Sequence, residues 1–398
     1  MADDLTTTAD TLLRRAVDGG PRIPGVVAIA TDRHGAIFQG AAGVRALGQD
    51  AAMTVDTVLA MFSTTKAVAA TAVLQLVEDG RLDLDAPAKR YAPAIGAAQV
   101  LDGFDAAGQP LLRAPRRDIT TRMLLLHTAG FAYDSFNADY ARLVREHGQV
   151  PTGTGRRVSL DVPLLFDPGE RWEYGCSIDW AGQVVEAITG RRLGEVMQTR
   201  IFDPLGMTST AFALNEAMRA RLARVHQRRA DGSLTPLLSF ELPPDPEVHM
   251  GGHGLYSTAE DYCRFIRMWL NDGMGPGGPV LTPETVRAAE KNGLGALKIR
   301  GLPAVAPART NDAEFFPGMA KSWAMSFMVN DADAPTGRPA GSLAWAGLAN
   351  LYYWIDRRNG VGGFWAAQVF PFADAACMAA YLDFETAVYD SRGRSAAA

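Results

Sequence analysis

Near the start of the chain two short β-rich runs, GVVAIATD and GAIFQGAAG, are joined through RHG, which predicts an antiparallel hairpin. The pattern then lengthens into DTVLAMFSTTKAVAATAVLQLVEDGRLDLDAP. Ser63 can cap a helix there and Gly80 can stop it. Ala67, Ala69, Ala70 and Ala72 keep that helix slim, while Val68, Val73, Leu74, Leu76 and Val77 cover most of its circumference. A helix apolar all round is a buried one.

From about residue 85 to 240 the texture changes to short helical patches broken by proline and glycine. DWAGQVVEAITG and LGEVMQTRIFDPLG are helix-then-stop patterns. In GGHGLYSTAEDYCRFIRMWLNDG, Ser257 and Glu260 have capping-box spacing. The end returns to β with GSLAWAG, NLYYWID and GGFWAAQVF, then a last helix, DAACMAAYLDFETAVYD, and a frayed tail, SRGRSAAA. The expected class is therefore α+β. An antiparallel sheet built by both termini (1–84 and 240–398) carries an inserted all-helical lobe (85–239), with a cleft between the two.

Composition narrows the partners. The 398 residues are 47% hydrophobic and 21% charged, with a net charge of −5. The arginine groups (Arg113, Arg116, Arg117; Arg156, Arg157; Arg228, Arg229) are scattered and lack interleaved aromatics, so they read as solvated surface and nucleic acid is excluded as a partner. MADDLTTTAD is acidic and has no apolar signal region, and apolar runs such as AVAATAVLQLV are too short to span a bilayer. Three cysteines without CxxC spacing and six scattered histidines support neither a disulfide framework nor a metal site, and no cofactor is expected. These features point to a cytoplasmic protein without a membrane partner; oligomeric state is not legible.

The chemistry begins at Ser63 and Lys66. They form the single S-x-x-K of a chain with only five lysines. Residues three apart share a helix face, so the amine can approach the hydroxyl. A serine needs an adjacent base, and burial among apolar neighbours disfavours an ammonium. A capping serine beside an unrelated lysine satisfies the pair equally well, so company decides. DPGERWEYGCSIDWAG sets Tyr174 in a turn after a Pro168–Gly169 break, LLLHTAGF ends a helix at His127 and Gly130, and GSLAWAGLANLYYWID holds the Trp345-Ala346-Gly347 turn. No G-x-S-x-G occurs, and GMGPGG at 273–278 follows a helix and contains Pro276, so neither an α/β-hydrolase elbow nor a dinucleotide loop is present.

In that order and across roughly residues 10–390, these stretches, with LDGFDAAGQPLLRAPRRDITTRMLLLHTAGF, resemble the serine hydrolases of the class C β-lactamase and penicillin-binding-protein superfamily, most closely family VIII carboxylesterases. They are also similar to a fungal acyltransferase that esterifies a statin precursor. The resemblance implies Ser63 as nucleophile, Lys66 as its proton acceptor and Tyr174 as the proton shuttle to the leaving group. It implies backbone N–H groups of Ser63 and Leu348 as the oxyanion hole, and His127 and His253 as architectural. Trp345-Ala346-Gly347 stands where lactamases carry Lys-Thr-Gly, and Gly175-Cys176-Ser177 lacks the asparagine of Tyr-x-Asn. An indole cannot hold a β-lactam carboxylate, so uncharged acyl esters are the expected substrates. An acyltransferase that uses an alcohol or amine acceptor in place of water is the alternative, and an amidase the weaker one. Nearness to the motifs adds Tyr133, Phe136 and Tyr353 to Trp345, Ala346 and Gly347 as candidate substrate contacts.

Overall fold

The computed structural model describes residues 2–20 and 22–396. Helix α1 (Ala2–Asp18) leads into the hairpin β1 (Gly25–Asp32) and β2 (Ala36–Gly43), paired as the sequence predicts. After helix α2 (Thr65–Glu78), the insert contributes helix α3 (Ser177–Thr189), and helix α4 (Ala259–Leu270) follows it. Strands β3 (Lys321–Trp323), β4 (Met328–Asn330), β5 (Leu343–Gly347), β6 (Leu351–Asp356) and β7 (Val361–Ala366) then run to the final helix α5 (Ala375–Ala396). The sheet order is β3-β4-β5-β6-β7-β1-β2, antiparallel throughout, so the last of its strands in the chain closes on the first.

Both faces of this sheet are covered, which explains why NLYYWID is apolar without alternation: every residue of β6 is buried. Tyr352 and Trp354 meet Tyr381 of α5, at 4.6 and 6.2 Å between ring centroids, while Tyr353 points the other way to Tyr262 of α4, at 5.2 Å. Helix α1 packs on α5 and β2 through Leu5, Ala9 and Leu13, whose spacing of four places them on one face. Because α5 runs to Ala396, the tail expected to fray is helical up to that residue, and Ala397 and Ala398 lie outside the described residues.

The 85–239 segment is rich in short helices but also holds two hairpins, Val100–Phe104 with Pro110–Arg113 and His226–Arg228 with Leu234–Pro236, so it is not all-helical. Two arginines read as solvated surface are instead anchors. Arg113 grips the buried Asp167 carboxylate at 3.0 and 2.9 Å, and Arg228 pairs with buried Asp374. The cap of α4 is one residue further on than the capping-box spacing implies. Thr258 accepts from Asp261 N, and Ser257 Oγ instead lies 2.6 Å from Thr210 Oγ1. A two-stranded pairing of Val58–Ala60 with Tyr256–Thr258 brings the start of α2 against the 252–255 backbone.

Candidate active site

Ser63 does not cap α2. It lies in a single turn of 3₁₀ helix, Phe62–Thr64, that feeds the α-helix, and no side-chain cap bond is made there. Phe62 has φ +46°, a left-handed conformation that costs a phenylalanine of order 1 kcal/mol. Its ring is held by Phe240 and Phe370, at 6.1 and 5.6 Å, so surrounding packing maintains the turn. One turn on, Lys66 is fully buried. Its Nζ contacts Ser63 Oγ at 3.1 Å, Tyr133 Oη at 3.1 Å and Gly252 O at 2.8 Å. Tyr133 Oη in turn lies 3.2 Å from Oδ2 of the buried Asp179, whose Oδ1 accepts from Gly252 N at 2.8 Å.

Tyr174 borders the same cleft, and Lys66 Nζ stands 4.7 Å from its ring centroid. Its hydroxyl oxygen accepts a hydrogen bond from Trp345 Nε1 at 3.0 Å. Rings of Trp345, His127, Tyr133 and Phe136 surround it at 5.0, 5.0, 5.5 and 5.8 Å. His127 fixes the turn that carries Tyr174: its carbonyl accepts from Glu173 N at 2.9 Å and its Nδ1 from Gly175 N at 3.4 Å. Burial holds the His127 pKa well below 6.5, which keeps Nδ1 an acceptor. Burial also lowers the His253 pKa, against an opposing pull from the Asp179 carboxylate 3.7 Å away, and raises the Tyr133 and Cys176 pKa values well above normal.

The cleft over Ser63 encloses about 280 Å³. Phe62, Phe136, Phe240, Leu242 and Leu348 give it an apolar wall, and Asp134, Glu241, His253 and Arg309 a polar one. Glu241 is already engaged by Arg219 and Arg224, at 2.5 and 3.0 Å. Leu348 reaches the cleft because β5 ends against the serine turn: a Cβ on Gly347 would sit 2.6 Å from Met61 O, so only glycine lets the strand approach. Of the expected substrate contacts, Tyr133 and Phe136 line the cleft. Trp345, Ala346 and Gly347 end β5 behind it, buried, with Trp345 Nε1 donating to Tyr174 Oη and none of the three lining the cleft. Tyr353 is corrected: it is buried against Tyr262 on the α4 side of the sheet and is absent from the cleft lining. Sequence reading passed over Asp179 and Gly252. The one available signal was an acidic residue inside the apolar run SIDWAGQVV.

Sheet, flanking helices and the S-x-x-K turn together define a β-lactamase/transpeptidase-like fold. The family model described as Beta-lactamase matches residues 13–388, and the chain belongs to that family. It is 34% identical over 385 residues to lovastatin esterase from Penicillium rubens, covering 93% of this chain and 94% of the relative. It is 32% identical over 409 residues to monacolin J acid methylbutanoyltransferase from Aspergillus terreus, covering 98% and 96%. Among solved structures, unliganded simvastatin synthase from Aspergillus terreus superposes with a TM-score of 0.84 at 30% identity, covering 97% of this chain and 98% of that one. EstCE1, described as a hydrolase with promiscuous acyltransferase activity, shares the fold at 23% identity and a TM-score of 0.75, covering 98% and 99%. Among the described residues no helix is long and apolar enough to cross a membrane.

Proposed function

We propose that the protein is a serine carboxylic-ester hydrolase that works through an acyl-enzyme on Ser63. The observation that carries this reading is the 3.1 Å contact between the buried Lys66 Nζ and Ser63 Oγ at the foot of a largely apolar cleft. As Ser63 Oγ attacks the ester carbonyl, its proton passes to Lys66. The tetrahedral oxyanion rests on the N–H groups of Ser63 and Leu348, two residues that border the same cleft. Tyr174, its oxygen held by the Trp345 indole, relays the proton to the departing alcohol. Water then enters and the steps run in reverse to release the acid.

Two relatives, one an esterase and one an acyltransferase, support a second reading in which the acyl group on Ser63 passes to an alcohol or amine. Both readings use the same residues. They differ in what occupies the acceptor side of the cleft. The amidase alternative is weaker, because Trp345 supplies no cation for a lactam carboxylate. The proposed setting is a cytoplasmic enzyme with a small-molecule acyl ester as partner, its cleft formed between the 85–239 segment and the unit built from 1–84 and 240–398.

Ser63→Ala is expected to abolish p-nitrophenyl butyrate turnover and fluorophosphonate labelling; most of the activity surviving overturns the assignment. Product analysis with a competing alcohol separates hydrolysis from transfer, an excess of ester over acid favouring transfer. Nitrocefin turnover would favour the amidase.

A further inference from the structure

The hydrogen-bond directions around Lys66 assign a role to a residue outside the Ser63–Lys66–Tyr174 set. To act as the base of the proposed reaction Lys66 must be neutral, and a neutral amine offers two N–H donors and one lone pair. Lys66 Nζ has three neighbours within 3.1 Å, namely Gly252 O, Tyr133 Oη and Ser63 Oγ. Gly252 O can only accept, so the lone pair must take its proton from one of the two hydroxyls. Tyr133 has a single proton, and its oxygen lies 3.2 Å from Asp179 Oδ2, a carboxylate oxygen that also only accepts. With that proton committed to Asp179, Tyr133 can do nothing toward Nζ except accept. Ser63 is left as the one hydroxyl that donates into the lone pair.

We propose that Asp179 is a positioning residue: by holding the Tyr133 proton it aims the lone pair of Lys66 at Ser63. Its other oxygen accepts from Gly252 N at 2.8 Å, which steadies the residue whose carbonyl is the third partner of Nζ. The junction has no spare room, since a Cβ on Gly252 would stand 2.7 Å from both Asp179 Oδ2 and Tyr133 Oη. Asp179 itself is fully buried at the start of α3, so it acts through Tyr133 and Lys66 and not on substrate. This assignment rests on the reading of Ser63 as nucleophile and Lys66 as base.

Asp179→Asn tests it. The amide oxygen can still accept from Gly252 N, but the amide nitrogen then donates to Tyr133 Oη. Tyr133 must now turn its proton to Nζ, which fills the lone pair, and Lys66 donates to Ser63 in place of accepting from it. The full-length variant is expected to lose about 100-fold in kcat on p-nitrophenyl butyrate, with KM within about twofold, and to label with fluorophosphonate correspondingly slowly. In a Tyr133→Phe background no second hydroxyl exists to misdirect, so Asp179→Asn is expected to cost less than about threefold further. Asp179→Ala also frees the Tyr133 proton and carries the same two expectations, so either variant that folds decides the matter. A kcat within about threefold of the unmodified protein, or an equal loss in both backgrounds, overturns the proposal. Failure of the underlying reading looks different: the unmodified protein would not label at Ser63, and Ser63→Ala would keep its activity.

Discussion

Acidification should unfold this protein through its buried histidines before its carboxylates contribute, and His127 sets the scale. Its ring is fully buried, and that burial holds its pKa well below 6.5. In the unfolded chain the same imidazole titrates near 6.5. Between the two values the unfolded state carries a proton that the fold does not. The stability gained by keeping His127 neutral is therefore complete above pH 6.5 and is lost as pH falls below it. One such group contributes a slope of about 1.4 kcal/mol per pH unit, or roughly 2 kcal/mol between pH 6.5 and 5. His226, His253 and His249, the last held down to about 4, act in the same direction. The assay is urea unfolding at pH 7.5, 6.5, 5.75 and 5 for the unmodified protein and for His127→Asn. The asparagine can still accept from Gly175 N but does not titrate. It should cost about 1–3 kcal/mol at pH 7.5, because contacts with the Trp323 and Tyr174 rings at 5.3 and 5.0 Å are lost. Its stability should then fall less steeply below pH 6.5, by about 1.4 kcal/mol per unit. An unchanged slope refutes the linkage. A loss of turnover at pH 7.5 as complete as that of Ser63→Ala would refute the architectural role of His127.

Trp345→Phe removes the indole donor that holds Tyr174 Oη at 3.0 Å. A lost neutral hydrogen bond is worth about 1 kcal/mol, so kcat/KM should fall about fivefold to tenfold, measured on p-nitrophenyl butyrate. Tyr174→Phe should cost at least about 100-fold if its hydroxyl carries the leaving-group proton, with the thermal midpoint little changed; retained kcat would remove Tyr174 from the relay. Gly252→Ala forces a methyl into the junction of Asp179 and Tyr133, and slow fluorophosphonate labelling in a protein with native circular dichroism is the expected signature.

The chain's local pattern was enough to find the first hairpin, the buried helix after Ser63, the three late strands and the last helix, because each is a short apolar run bounded by glycine, proline or polar residues close by in sequence. It missed α1, although Leu5, Ala9 and Leu13 share a face, since that segment was weighed only as a targeting signal. The short strands β3 and β4, three residues each, carry too little pattern to announce themselves.

The Ser63–Lys66 contact was legible because three residues on one helical turn are neighbours whatever the rest of the chain does. The remaining partners of Lys66 come from 67 and 186 residues away. Asp179 joins them through Tyr133, 46 residues distant. No spacing rule connects such positions. What brings them together is the packing of α3 on α2 and the pairing of Val58–Ala60 with Tyr256–Thr258, which set the insert and the 252 backbone against the serine turn. The sequence alone therefore determined the Ser63–Lys66 contact. Only the tertiary structure decided which other groups meet that amine, because Tyr133, Asp179 and Gly252 share nothing with the helix except their place in space.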